Sequence, residues 1–349
     1  MAERYQWEPS NDDIAARFGL DPAQVVRFDQ NTAPEPPAGA GPVAAMSALG
    51  INEYPDASYR SLRDAVTAYT GVPADNVVAG AGLDEIILLA AQAFLRPGDI
   101  SAMVEPTYSL HSIAVGRVGA TAVQVPLVGP GFAIDAAALL DAAATSALTW
   151  LCVPNNPTGT RPDDDLIRTV IEVTPGVTVL DAAYAELAGD DWSRWVAESP
   201  RLVVMQTLSK GFGLAGARVG YALASAGLIS KFDDIRPPGS ISSISAALAV
   251  AALSDPSGMR ERVAALTAER ARLSGLLTAA GLDPIPSDAN FLLCRIGSNA
   301  KRVAEALMSE GLVVRSYDAG AMLSDHLRFT VRSPDEDDRL VDALRRHLR

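Results

Sequence analysis

The segment Thr207-Leu208-Ser209-Lys210-Gly211-Phe212-Gly213, continued to Arg218, holds the residue types best suited to covalent chemistry. An apolar run ends in hydroxyls and one lysine, glycines follow, and an arginine stands eight positions beyond the lysine. A lysine just past a strand end can enter the crevice that open α/β sheets form there, and its amine can condense with a carbonyl carbon. Thr207, Ser209 and Arg218 supply donors for a dianionic phosphate, and glycines let backbone approach it closely. Taken alone, a lysine in such a loop is also readable as an ordinary solvated charge.

Further segments end apolar runs with polar groups. Asp181 closes the run 177–181, with Tyr184 three residues on. The plain reading of such an aspartate is a helix N-cap. The chemical reading is a carboxylate that pairs with the nitrogen of a pyridinium ring and keeps it protonated, hence an electron sink, with Tyr184 donating to a ring oxygen on the far side. Asn155-Asn156-Pro157-Thr158-Gly159 follows the run 148–153 and reads either as turn residues or as an amide offered to that ring oxygen. Gly80-Ala81-Gly82 leads into a helix from Asp84, whose open N–H groups and positive end can hold a phosphate. The turn lacks Gly-x-Gly-x-x-Gly spacing, because Glu85 stands where the third glycine belongs, and no Walker lysine follows. Tyr108, three residues past Glu105, belongs either to the core or over a planar cofactor.

These groups need a scaffold of strands that end together. Short β-rich runs at 76–79, 100–105, 122–125, 148–153, 177–181, 202–207 and 219–223 alternate with helical spacing at 61–70, 84–95, 108–118, 136–143 and 163–172. That alternation predicts an α/β fold with a large, doubly wound, mostly parallel sheet. Around 236–245 the pattern changes, and a long helical segment, 246–280, is interrupted near Asp255-Pro256. Strands at 291–295, 313–315 and 327–331 and helices at 300–310 and 334–348 then predict a smaller α+β domain. The expected division is 1–34 as an arm and part of the small domain, 35–236 as the large domain and 237–349 as the small one. The Pro/Gly-rich stretch 32–42 is expected to run over the surface.

Composition limits the partners. With 29 Lys plus Arg against 42 Asp plus Glu, the net charge of −13 is repelled by nucleic-acid phosphates and anionic lipid, so neither is an expected partner. The apolar runs 86–91 and 246–253 are far shorter than the roughly 20 residues of a membrane span, and residues 1–13 lack an apolar secretion core, so the cytoplasm is the expected compartment. Cys152 and Cys294 sit in apolar runs and read as buried thiols. His111, His326 and His347 are too scattered for a zinc site, and no metal is expected.

Taken jointly, the Asn155–Gly159 turn, Asp181 with Tyr184, and Ser209-Lys210 with Arg218 resemble the pyridoxal-phosphate aminotransferases of fold type I, in the same order along nearly the whole chain. Asn31, Glu53-Tyr54-Pro55-Asp56, Gly82-Leu83-Asp84-Glu85, Pro106-Thr107-Tyr108 and Leu327-Arg328-Phe329-Thr330-Val331 are similar to histidinol-phosphate aminotransferases. The resemblance implies pyridoxal 5′-phosphate held by Lys210 through a Schiff base, with Lys210 then carrying the proton between substrate and cofactor. It implies Asp181 on the pyridine nitrogen, Asn156 and Tyr184 on the ring oxygen, and Tyr108 on the ring face. The phosphate would lie on Leu83, Asp84, Thr207, Ser209 and Arg218, with Tyr54 arriving from the other subunit of a homodimer. Arg328, Arg315 and Asn31 would bind substrate, an amino donor such as histidinol phosphate and then a 2-oxo acid, 2-oxoglutarate, in a ping-pong cycle. Aromatic amino acid transamination and threonine-phosphate decarboxylation use the same set. The chain departs from the family pattern at Arg332, where glycine is common, at Ala33, where a second asparagine is usual, and at Trp7-Glu8-Pro9-Ser10, where Tyr-x-Pro-Gly is usual.

Overall fold

The structure, a computed structural model, describes residues 9–34, 54–318 and 321–348. Trp7, Glu8, Glu53 and residues 35–42 of the expected arm lie outside the described residues.

Eleven strands are present among the described residues: β1 Val26–Phe28, β2 Val77–Gly80, β3 Ile100–Glu105, β4 Thr121–Pro126, β5 Leu148–Cys152, β6 Val177–Asp181, β7 Leu202–Thr207, β8 Gly220–Ala224, β9 Phe291–Arg295, β10 Leu312–Val314 and β11 His326–Thr330. Seven form one sheet in the order β2-β8-β7-β6-β5-β3-β4. Strands β3 to β7 pair in parallel, whereas β8 runs antiparallel to both β7 and β2. The expected strands match these within a residue or two, and the fold class is the expected one.

Why these runs become central strands is visible in their burial. Every residue of β5, β6 and β7 is buried, as a sheet covered on both faces requires. Along β7, Leu202 and Val204 join the core on one face, while Val203 and Met205 join the core on the other. Fully burying each such side chain contributes roughly 1.5–3 kcal/mol. Cys152 and Cys294 are buried and free.

A second body combines both ends of the described chain. β1 pairs with β10 in parallel and β11 pairs with β9 antiparallel. Phe28, Phe291, Phe329, Leu340 and Leu344 share its core. The helix Pro334–His347 starts with a capping box between Ser333 and Glu336, carries acids in its first turn and bases in its last, and so matches its own dipole. The helix Asn11–Phe18, the strand β1 and the helix Ala226–Asp233 were not anticipated from sequence. The helix Ser243–Ser254 follows the change of pattern at 236–245, yet its Ala249 and Leu253 pack into the large sheet's core with Leu62 and Val66 of the helix Arg60–Thr70.

Candidate active site

In a parallel sheet all carboxyl ends face one edge, and here they deliver Gly80, Glu105, Cys152, Asp181 and Thr207 to it. Because β8 runs the other way, its amino end reaches the same edge and brings Arg218 there, opposite β7. A cavity of about 670 Å³ opens at this edge. It is lined by Asn31, Leu83, Asp84, Tyr108, Asn156, Asp181, Tyr184, Thr207, Ser209, Lys210, Arg218, Arg315 and Arg328. Of the residues expected to bind cofactor or substrate, Tyr54 alone lies outside the lining; it is 98% exposed.

The acidic wall is built on Asp181, a buried carboxylate at the end of β6. Its Oδ1 accepts the Ala183 N–H at 3.2 Å, and its Oδ2 lies 3.0 Å from His111 Nε2. A carboxylate only accepts, so Nε2 carries the hydrogen in this pair. His111 is fully buried and stacks on Trp150 at 4.8 Å, which fixes the plane of the imidazole. Sequence reading missed His111; the available signal was a polar residue in an apolar helix, three positions after Tyr108. Tyr108 donates to Asp84 Oδ1 at 3.0 Å.

Opposite lies a cluster that ties the arm to the lysine. Lys210 Nζ donates to the carbonyls of Asn31 at 3.0 Å and Gln30 at 3.3 Å. Burial, reinforced by the Arg328 guanidinium, pushes its amine down from 10.5 to about 8. Asn31 Nδ2 donates to Tyr184 Oη at 3.0 Å, which leaves the phenol its own proton to give. Burial raises the Tyr184 phenol well above its usual range, so it stays a donor. Asn31 adopts a φ of +51°, held by donation from its N–H to Thr330 Oγ1 and by Asn290 Nδ2 on its carbonyl. Arg332, the departure noted above, reaches the carbonyls of Thr32 and Ala33 at 3.4 and 3.3 Å.

The two adjacent asparagines divide their work. Asn155 is structural: its Nδ2 donates to the Pro106 carbonyl and its Oδ1 accepts from Thr107. Asn156 lines the cavity, and its Oδ1 accepts from Arg328 Nη1 at 2.5 Å, which leaves its Nδ2 as the group that can donate. Arg328 Nη2 donates to the Asp29 carbonyl at 2.6 Å. Arg315 and Arg328 exchange backbone hydrogen bonds at 3.1 and 3.0 Å as an antiparallel bridge, so their side chains leave one face and enter one cavity.

The turn before the helix Leu83–Phe94 fits a phosphate group. Gly82 caps this helix at a φ of +80° with no side-chain bond to the first-turn N–H groups, which remain available donors. A Cβ on Gly82 would stand 2.6 Å from Arg218 Nη2, and one on Gly220 would stand 3.0 Å from Leu83 N. The space is therefore a cradle kept open by missing side chains. Thr207 and Ser209 hydroxyls, 3.0 Å apart, and Arg218, paired with Asp84 at 2.8 Å, complete its donors. Arg218 itself lies in the left-handed region at a φ of +52°. Phosphate cradle, buried carboxylate and low-pKa lysine border one cavity, a donor set that suits pyridoxal phosphate.

The family described as "Aminotransferase class I and II" matches residues 26–344. A histidinol-phosphate aminotransferase of Roseiflexus castenholzii is 35% identical over 351 residues, covering 95% of this chain and 92% of that one. Histidinol-phosphate aminotransferase 2 of Ralstonia nicotianae is 36% identical over 344 residues, covering 95% and 91%. Among solved structures, the histidinol-phosphate aminotransferase of Sinorhizobium meliloti in complex with pyridoxal-5′-phosphate superposes with a TM-score of 0.89 at 26% identity, covering 99% of this chain and 95% of that one.

Proposed function

Because this chain belongs to the class I and II aminotransferases, a pyridoxal-phosphate family, we propose that it transfers the amino group of histidinol phosphate to 2-oxoglutarate in a ping-pong cycle. The observation that carries the substrate is the pairing of Arg315 with Arg328 across one ladder into one cavity. Two guanidiniums entering one cavity draw an anion into it. Both substrates bring one, a phosphate on the donor and a distal carboxylate on the acceptor.

Bound pyridoxal phosphate supplies an aldehyde for the substrate amine and a protonated ring that stores the electrons of the broken Cα–H bond. Leu83 and Asp84 N–H groups, the Thr207 and Ser209 hydroxyls and Arg218 would hold its phosphate. Asp181 would accept the ring N–H, with His111 and Ala183 fixing the carboxylate. Tyr108 would cover the ring, while the Asn156 amide and Tyr184 hydroxyl donate to its oxygen. Lys210 Nζ, loosened to about 8, is the base that takes the substrate α-proton and later returns it. Tyr54, exposed on this chain, would reach the phosphate of a second copy's site, so the working unit would be a homodimer.

A panel of histidinol phosphate, phenylalanine and tyrosine as donors to 2-oxoglutarate tests the reading. Histidinol phosphate is expected to give the highest kcat/KM, and preference for an aromatic donor would overturn it. Lys210→Ala is expected to abolish transamination in a protein that still folds by circular dichroism.

A further inference from the structure

Building on the histidinol-phosphate reading, we infer that Tyr317 is a specificity-determining residue, donating its hydroxyl to the substrate phosphate beside Arg315. Tyr317 lines the cavity together with Arg315 and Arg328. Its ring packs against the large sheet's apolar core, and its hydroxyl oxygen is buried with no hydrogen-bond partner among the described residues. A buried hydroxyl without a partner is unfavourable, and where it borders a binding cavity the missing acceptor belongs to the ligand. The Arg315 guanidinium carbon lies 6.0 Å from the Tyr317 ring centroid, so an anion held by Arg315 is within the phenol's neighbourhood. Burial raises the phenol above its ordinary range, outweighing Arg328 and Arg315, which keeps it a neutral donor at working pH.

The count of acceptor oxygens sets the specificity. Arg328 shares this cavity with Arg315, its Nη1 on Asn156 and its Nη2 on the Asp29 carbonyl. A guanidinium fork spans two oxygens of an anion. A phosphate monoester presents a third charged oxygen to Tyr317, whereas the alcohol of the same skeleton presents no charged oxygen at all. The hydroxyl therefore favours a phosphorylated donor over an amine of the same skeleton without phosphate.

The test compares kcat/KM for L-histidinol phosphate and L-histidinol, each with cofactor-loaded wild type and Tyr317→Phe. Removing one hydrogen bond to a charged group is expected to lower the ester-to-alcohol ratio about tenfold, mainly through KM for the ester. Loss of folded enzyme lowers both constants alike and leaves the ratio unmoved. A ratio in Tyr317→Phe equal to that of wild type overturns the assignment of Tyr317. A wild-type ratio near one overturns the phosphate-donor reading itself, and the two failures are distinguished because the second is seen before any substitution.

Discussion

Lys210 sits where its proton is held loosely, and that has a measurable pH signature. Its amine must be neutral to attack an aldehyde, and burial with Arg328 places its ionisation at about 8 rather than 10.5. Covalent capture of pyridoxal phosphate by the apoprotein, followed by absorbance, is therefore expected to accelerate with pH and level off above about 8; continued acceleration toward 10.5 would contradict the geometry. At the opposite wall, His111→Phe keeps an aromatic ring against Trp150 but removes the donor to Asp181. Loss of a hydrogen bond to a charged group is expected to reduce kcat by roughly 10–100-fold, read in single-turnover assays. The contrast between these residues explains what sequence could reveal. Lys210, Asp181 and Arg218 stand at strand ends, beside turn residues that announce a crevice. His111 is one polar residue in an apolar helix, and its role exists only because folding brings it to Asp181, 70 positions away. Arg332 was visible as an oddity, but its hold on the arm carbonyls needed the fold.

Elements turn these residues into a site, and two of them carry testable strain or charge. Gly82→Ala would place a Cβ against Arg218 at a left-handed φ of +80°. The backbone penalty alone, at φ +80° and ψ 172°, is about 1–3 kcal/mol. Weaker cofactor affinity by equilibrium dialysis is the expected result, since the cradle itself is filled. In the smaller body, Asp337 is fully buried beside Glu269, which Arg272 grips through both oxygens. Burial and the neighbouring Glu269 push the Asp337 carboxyl up to about 8. The folded state thus holds a proton that the unfolded chain releases near 4, so this stabilisation is complete in acid and is lost as pH rises toward 8. Melting temperature should fall across that interval in the wild type and change less in Asp337→Asn. Strands and most helices were legible because mostly apolar runs of five or six residues mark a sheet covered on both faces. β1 was not, because three residues, Val26–Phe28, carry too little periodicity; its strand exists only through β10.

At the scale of the whole molecule, the proposed dimer makes a prediction that no single chain can satisfy. If Tyr54 serves the other copy's site, Tyr54→Ala and Lys210→Ala chains, each impaired alone, should regain activity when unfolded together and refolded as mixed dimers. A mixed dimer then holds one site with both residues intact. Failure to regain activity, with mixed dimers demonstrated by mass spectrometry, would place Tyr54 outside the partner's site. No described helix is long and apolar enough to cross a membrane. The cavity also takes walls from segments 299 positions apart: Asn31 is bonded to Thr330, and Arg328 to the Asp29 carbonyl. A ribosome that has released the first 300 residues has made the lysine, the aspartate and the phosphate cradle, but nothing that grips an acid. Truncated translation products ending before Arg315 are therefore expected to sequester the vitamin without turning anything over, and the acid-gripping wall is assembled only once Arg328 has been made.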